Sequence, residues 1–180
     1  TTTYPDLDTP SLLVHLETLE ANIAEMQEVA LAASVRLRPH AKTHKCFEIA
    51  RRQIEQGGAC GVCCQKVSEA EALVDAGLTD VLVSNEITSA RMLERLALLA
   101  RRARMIVCVD DIDNVSALSA AASAKDATIE CLVEIDVGAG RCGVEPGVAA
   151  VVLAKAISTA RGLKFSGLQA YNGPAQHFLD

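Results

Sequence analysis

Arg38-Pro39-His40-Ala41-Lys42-Thr43-His44-Lys45 follows the run Val35-Arg36-Leu37 and precedes a helical pattern, so two histidines and two lysines crowd the end of a predicted strand. A charge run of this kind is ordinarily a solvated turn. Its meaning here is set by the pattern around it, in which one unit repeats. Residues 35–39 read as a strand and 46–56 as the helix after it, stopped by Gly57-Gly58. Strand 59–64 leads to helix 66–76, with Ser68 as N-cap three residues before Glu71 and Gly77 closing the far end. Strand 80–84 pairs with helix 87–101, strand 105–109 with helix 113–122, and strand 129–135 with helix 148–160, before a last strand at 165–171. Ahead of the quoted stretch, Thr9-Pro10 opens a strand at 11–16, and residues 17–33 place Leu19, Ile23, Met26, Val29 and Ala30 at helical spacing.

Nearly continuous Val/Ile/Leu strands alternating with amphipathic helices require a parallel sheet covered by helices. A (β/α)8 barrel and an open doubly wound sheet both satisfy that pattern. The open sheet needs a glycine-rich phosphate turn after an early strand, and the first βα turn here is His40-Ala41-Lys42-Thr43-His44 instead. The expected fold is therefore α/β, a TIM-type barrel. Six βα strands counted from residue 35 leave two missing from a closed barrel, and strand 11–16 is one too many at the front. We expect residues 17–180 to be an incomplete barrel and residues 1–16 a segment and strand serving a second sheet, in the first part of a longer protein with unpaired edges to cover.

Composition narrows the function classes. Half of the 180 residues are hydrophobic, 22% are charged, 3% are aromatic and none is Trp, which describes a soluble protein packed with Ala, Val and Leu. A net charge of -6 without a long basic stripe argues against a nucleic-acid partner. The apolar runs fall far short of the roughly 20 residues a bilayer needs. The opening Thr1-Thr2-Thr3-Tyr4 lacks the layout of a signal peptide, so the expected setting is cytoplasmic. Seven cysteines, an odd number set mostly in apolar strands, read as reduced thiols. Cys60, Cys63 and Cys64 invite a zinc reading, but a strand would turn Cys60 and Cys63 to opposite faces and no second Cys/His pair follows at finger spacing.

Barrel enzymes carry their chemistry at the C-terminal strand ends. Those ends hold Lys42, then Gln65-Lys66, Ser84-Asn85-Glu86 and Asp110-Asp111, then Glu134 to Gly143 and Gln169 to His177. A lysine at the first strand end is a candidate covalent amine, since burial and neighbouring cations free it of its proton. Lys42 lies nearest that end; Lys45 and Lys66 are rivals at helix starts. Pro39 holds its neighbours extended and stiffens the approach of His40 to the barrel mouth. Gly138, Gly140 and Gly143 lack the Lys-Ser/Thr pair of a P-loop; they let the backbone approach closely while Arg141 aims a permanent cation into the mouth, unless Glu134 or Asp136 claims it for structure.

Several stretches carry a family likeness. Asp8-Thr9-Pro10-Ser11-Leu12-Leu13-Val14, the quoted Arg38 to Lys45, Gly61-Val62-Cys63-Cys64-Gln65-Lys66-Val67-Ser68-Glu69-Ala70-Glu71, Val133 to Gly143 and Gly167-Leu168-Gln169-Ala170-Tyr171 resemble the D-threonine aldolase and 3-hydroxy-D-aspartate aldolase group. That group belongs to the fold-type III pyridoxal 5'-phosphate (PLP) enzymes, with alanine racemase and D-serine dehydratase as relatives. The resemblance implies a PLP-binding barrel of the alanine racemase N-terminal kind, followed by a β-rich domain to which the N-terminal strand contributes. By it, Lys42 is the lysine that carries PLP, His40 beside it counts with Lys42 as a catalytic residue, Arg141 lies near the cofactor's phenolic oxygen, and Gln169, Tyr171 and Asn172 line the ring.

It also implies retro-aldol cleavage of a 3-hydroxy-D-amino acid (D-threonine or 3-hydroxy-D-aspartate) to glycine and an aldehyde (acetaldehyde or glyoxylate), in a homodimer. A divalent metal (Mn, Mg or Co) would be held by His and Asp or Cys residues of the C-terminal domain, so none of His15, His44 and His177 is taken as a ligand. Asn172 stands where relatives carry His or Gln, which leaves the substrate open. The alternatives are a D-serine or 3-hydroxyaspartate dehydratase on the same scaffold and, from another class, a non-catalytic PLP-homeostasis protein. A racemase fits less well, because the residues after Lys42 differ from an Ala-Asn-Ala-Tyr-Gly run.

Overall fold

The computed structural model describes residue 4 and residues 6–177. Six α-helices and five strands alternate: α1 (Leu16–Ala32), α2 (Phe47–Glu55), β1 (Val62–Cys64), α3 (Val67–Asp75), β2 (Asp80–Glu86), α4 (Ala90–Leu99), β3 (Arg104–Val109), α5 (Ile112–Ala124), β4 (Ile129–Ile135), α6 (Val148–Thr159) and β5 (Leu163–Ala170), followed by a 3-10 turn at Gly173–His177. All strand pairs are parallel, and the order in the sheet is β1-β2-β3-β4-β5, the order in the chain. Successive helices also pack on one another, α3 on α4, α4 on α5 and α5 on α6. A doubly wound sheet would reverse its strand order part-way. Steady progression in one direction is the winding of a barrel arc, as the first βα turn led us to expect.

Residues alternate between two cores. Val62, Val81, Val83, Met105, Val107, Val109, Ile129, Cys131 and Val133 face the helices in one large cluster with Leu96, Leu118 and Ile157. Cys63, Leu82, Ile106 and Cys108 face the other way and form a thin inner layer with Leu132. The continuous apolar strand sequences arise because both faces are covered.

Two expectations are corrected. The strand expected at 35–39 runs beside β1 through Cys60 N–H to the Leu37 carbonyl (2.9 Å), Cys63 N–H to the Pro39 carbonyl (2.8 Å) and Ala41 N–H to the Cys63 carbonyl (2.7 Å), yet only His40 forms a bridge. Pro39 has no N–H to give a ladder. Strand 59–64 shortens to β1 because Gly61, at φ 145°, approaches β2 so closely that a Cβ would lie 2.7 Å from the Asp80 carbonyl oxygen. Residues 11–15 have no sheet partner among the described residues, Leu12 is 94% exposed, and α1 begins at Leu16; the second sheet that this strand was expected to serve lies outside the described residues. The cap of α3 is also reassigned. Its N-cap is Lys66, and the Glu69 carboxylate, not Ser68, reaches back to accept from the Gln65 N–H at 2.9 Å. No described helix is long and apolar enough to cross a membrane.

At the N-terminal strand ends, charges alternate across five neighbouring chain segments. The Asp80 carboxylate pairs with Arg38 and accepts a hydrogen bond from Arg104, each at 2.7 Å. Glu130 accepts from Arg104 at 3.0 and 2.6 Å, from Lys164 at 2.9 Å and from Ser166 at 2.7 Å. The Arg104 hydrogen bonds, against the pull of burial, hold the Glu130 carboxyl down at about 2. A carboxyl depressed by folding stabilises the protein above its unfolded value, and the gain disappears as pH falls through its folded one. Arg104 and Lys164 keep 44% and 61% of their side-chain surface in water, which moderates the effect. Glu130→Gln therefore lowers the unfolding free energy at neutral pH by about 1–2 kcal/mol. In urea titrations, its difference from the wild type shrinks as pH is taken from about 4.5 towards 2.

Candidate active site

The opposite, C-terminal strand ends surround a cavity of about 410 Å³ lined by Arg38, His40, Lys42, Cys63, Gln65, Leu82, Ser84, Asn85, Glu134, Arg141, Gln169 and Tyr171. Five of the six residues expected at the site thus meet in one space. Lys42 is the one lysine among the lining side chains. It is exposed on the rim rather than buried. Of its rivals, Lys45 is drawn to Glu69 at 3.4 Å beside a separate apolar cavity with Phe47 and Leu73, and Lys66, the N-cap residue of α3, is not among the lining residues. Asn172, the sixth, lies outside the lining: its amide donates to the Val137 carbonyl at 3.1 Å and ties two loops together.

Arg141 stands on the β4 exit loop, and that loop is braced at three points. Asp136 Oδ1 accepts from the Gly138 N–H (2.9 Å) and the Gly140 N–H (3.1 Å), so Asp136 is not a partner of Arg141. Val144 returns to the strand end, donating to the Glu134 carbonyl at 3.0 Å and accepting from the Asp136 N–H at 2.9 Å. Gly143 makes the return possible: at φ 97°, a Cβ there would meet the Ile135 carbonyl carbon at 2.7 Å. Its N–H donates to Asp110 at 3.0 Å. The arginine's guanidinium lies 4.7 Å above the Tyr171 ring centroid, a cation–π arrangement, and Nη2 is 3.9 Å from Glu134 Oε1. The structural pairing with Glu134 is thus loose, and most of the arginine's surface stays open to the cavity.

Four lining or neighbouring groups went unassigned in the sequence: Arg38, Cys63, Ser84 and Glu86. Alternation along the strands is the signal that finds the first three, since each shares the inward parity of Leu82, Ile106 or His40. Glu86 needs the structure. The β2–β3 register shifts between Val83 and Glu86, and such a bulge re-aims side chains at a strand end. Glu86 thereby comes close to Glu134 and Cys142, their ligand-capable atoms lying within 4.8 Å of one another. Burial first, then the Glu134 and Asp110 charges, raises its carboxyl pKa. Cys142 donates to Glu134 Oε1 at 3.0 Å, which identifies it as a protonated thiol.

All seven cysteines are free. Cys63 faces the inner layer and its neighbour Cys64 the helices, so β1 does not gather a zinc set.

The chain was then compared with known proteins. The family described as "Alanine racemase, N-terminal domain" matches residues 14–178. The chain belongs to that family. It is 49% identical over 172 residues to a D-threonine aldolase of Arthrobacter sp, covering 96% of this chain and 45% of that protein. It is 47% identical over 173 residues to a 3-hydroxy-D-aspartate aldolase of Paracoccus denitrificans (strain Pd 1222), with the same two coverages of 96% and 45%. Among solved structures, a D-threonine aldolase from Filomicrobium marinum superposes with a TM-score of 0.92 at 57% identity, over 96% of this chain and 47% of that one. The chain therefore spans just under half the length of the relatives it matches.

Thiol reactivity checks the placement of the cysteines. Burial pushes the Cys64 and Cys131 thiols up to about 12 and Cys142 to about 11, and raises Cys63 and Cys108 as well. A short pulse of iodoacetamide at mildly alkaline pH, followed by peptide mass mapping, is expected to label the partly exposed Cys46 and Cys60 ahead of the other five.

Proposed function

We propose that this chain supplies the PLP-binding part of an aldolase that cleaves 3-hydroxy-D-amino acids, D-threonine or 3-hydroxy-D-aspartate, to glycine and an aldehyde. The observation that carries the reading is the single lysine, Lys42, and the facing cation, Arg141, in one cavity at the C-terminal ends of a parallel barrel arc. The residues fit PLP. A primary amine is available for the cofactor's aldehyde carbon, a permanent cation for its phenolic oxygen, and the Tyr171 ring and Gln169 amide for one flank. When bound, PLP supplies the electron sink that makes cleavage of a Cα–Cβ bond accessible.

The chain's own contribution is positional and electrostatic. Lys42 anchors the cofactor through Nζ. Arg141, stacked on Tyr171, keeps an anionic oxygen ionised without a proton of its own to lose. Glu86, whose carboxyl pKa is raised by burial and which has one buried oxygen without a hydrogen-bond partner, is a candidate proton carrier beside the mouth.

A divalent metal that polarises the β-hydroxyl belongs to this reading. Among the described residues, the one cluster of candidate ligand types is Glu86, Glu134 and Cys142, and its thiol is engaged as a proton donor. That cluster does not fit the His and Asp or Cys set the resemblance implies, and no step is derived through a metal here. A homodimer and a cytoplasmic setting are part of the same proposal, the latter supported by seven free thiols.

Dehydration on the same scaffold ranks second, because dehydratases are more distant relatives than the aldolases. A non-catalytic PLP carrier would share Lys42 and turn over no amino acid. In the intact protein, Lys42→Ala is expected to abolish covalent PLP attachment, read from visible absorbance and from borohydride-trapped mass, while far-UV circular dichroism is unchanged. Retained attachment in that variant would sink the reading. Glycine plus aldehyde from D-threonine or 3-hydroxy-D-aspartate identifies the aldolase; ammonia plus keto acid identifies the dehydratase.

A further inference from the structure

His40 is two residues from Lys42 and lines the same cavity, which invites a role as an acid or base. Its hydrogen bonds argue otherwise. The Lys42 backbone N–H donates to His40 Nδ1 at 3.2 Å, so that nitrogen carries a lone pair and no proton. On the other side of the ring, Nε2 lies 3.2 Å from Ser84 Oγ. With Nδ1 unprotonated, the ring's proton sits on Nε2 and is given to Ser84 Oγ in a hydrogen bond, which leaves the Ser84 hydroxyl to donate to the Cys64 carbonyl, also at 3.2 Å. The ring is neutral and both nitrogens are engaged.

We propose that His40 is a positioning residue, fixed as the neutral Nε2–H tautomer, whose Nδ1 lone pair holds the Lys42 main chain and so aims the Lys42 amine into the mouth cavity. The chain of bonds runs from the Cys64 carbonyl at the end of β1, through Ser84 on β2, to His40 and the Lys42 amide. Three chain segments distant in sequence thus converge on one backbone N–H. The surrounding turn is tied in as well, by Lys45 N–H to the Ala41 carbonyl at 2.8 Å and Thr43 Oγ1 to the His40 carbonyl at 3.3 Å. Burial and then the Lys42 charge lower the imidazole pKa, while Glu69, occupied by Lys45 and the Gln65 N–H, acts weakly in the opposite direction. Neither ring nitrogen is free to take the substrate's hydroxyl proton, which must leave through another group.

The inference rests on Lys42 being the cofactor lysine, but its first test does not. In the intact apoprotein, ¹⁵N-histidine NMR at neutral pH is expected to show His40 Nδ1 unprotonated and Nε2 protonated. A protonated Nδ1, or rapid averaging between tautomers, would overturn the proposal, and this measurement needs no variant to fold. The second test follows covalent attachment of PLP to the apoprotein. His40→Asn keeps an acceptor where Nδ1 stands and is expected to attach PLP within about threefold of the wild-type rate; His40→Phe and His40→Gln, which lose that acceptor, are expected to be slower by about tenfold. Equal rates for His40→Phe and wild type, or equally slow Asn and Phe variants, would overturn it. Attachment that survives Lys42→Ala would instead count against the cofactor assignment, leaving the tautomer result standing.

Discussion

Glu130 and Asp80 each sit between two cations at the N-terminal end of the sheet, and the pairing works in only one register. Arg104 must reach both carboxylates, while Arg38 and Lys164 complete the line at either side. A slip of one residue would turn every member to the helix face, where no charge could be hydrated or paired. This alternating line therefore does more than add ion pairs, whose individual worth near a surface is small. It fixes which side chains point inward along each strand, and everything at the far end is counted from it.

Counting upward in steps of two gives three layers. Arg38, Asp80, Arg104 and Glu130 form the charged floor. Cys63, Leu82, Ile106 and Leu132 form a thin apolar seal above them. Ser84 and Glu134 open onto the cavity above that, and His40, level with Cys63, borders it from the side. The seal separates two sets of charges that would otherwise compete. It leaves the mouth with its own balance, in which Lys42 and Arg141 face Glu86 and Glu134. Burial, together with the nearby Glu134 and Asp110 charges, raises the Glu86 carboxyl pKa.

Much of this was legible in the residues. The apolar strand runs and helix stops gave the element order, and the non-glycine first turn gave the direction of winding. Lys42 and Arg141 followed from their places at strand exits. What escaped was decided by partners remote in sequence. The apolar run at 11–16 satisfies a strand pattern, and the sheet it was expected to join lies outside the described residues. Ser68 has the right chemistry for a cap, yet the helix begins at Val67 and leaves Ser68 inside its first turn, where Glu69 reaches back to the Gln65 N–H. Asn172, which the resemblance places along the cofactor ring, donates its amide to the loop carbonyl of Val137, a partner 35 residues away that no local pattern indicates. Glu86 depends on a register shift that no local pattern announces.

His40 shows most clearly where reading residues stops. In sequence, a histidine beside a reactive lysine is a candidate proton carrier, since an imidazole titrates near neutrality. Whether it can act so depends on which nitrogen keeps a free lone pair, and that is settled by the Lys42 N–H at Nδ1 and by a serine 44 residues away at Nε2. The same local geometry recurs at His44, whose Nδ1 accepts from the Cys46 N–H at 3.1 Å although its ring does not line the cavity. A histidine accepting from the amide two residues on is thus a turn-building device used twice in the stretch from Arg38 to Cys46. At His40 the amide it holds belongs to Lys42, the lysine proposed to carry the cofactor, so that one bond shapes both the turn and the backbone on which that side chain is mounted.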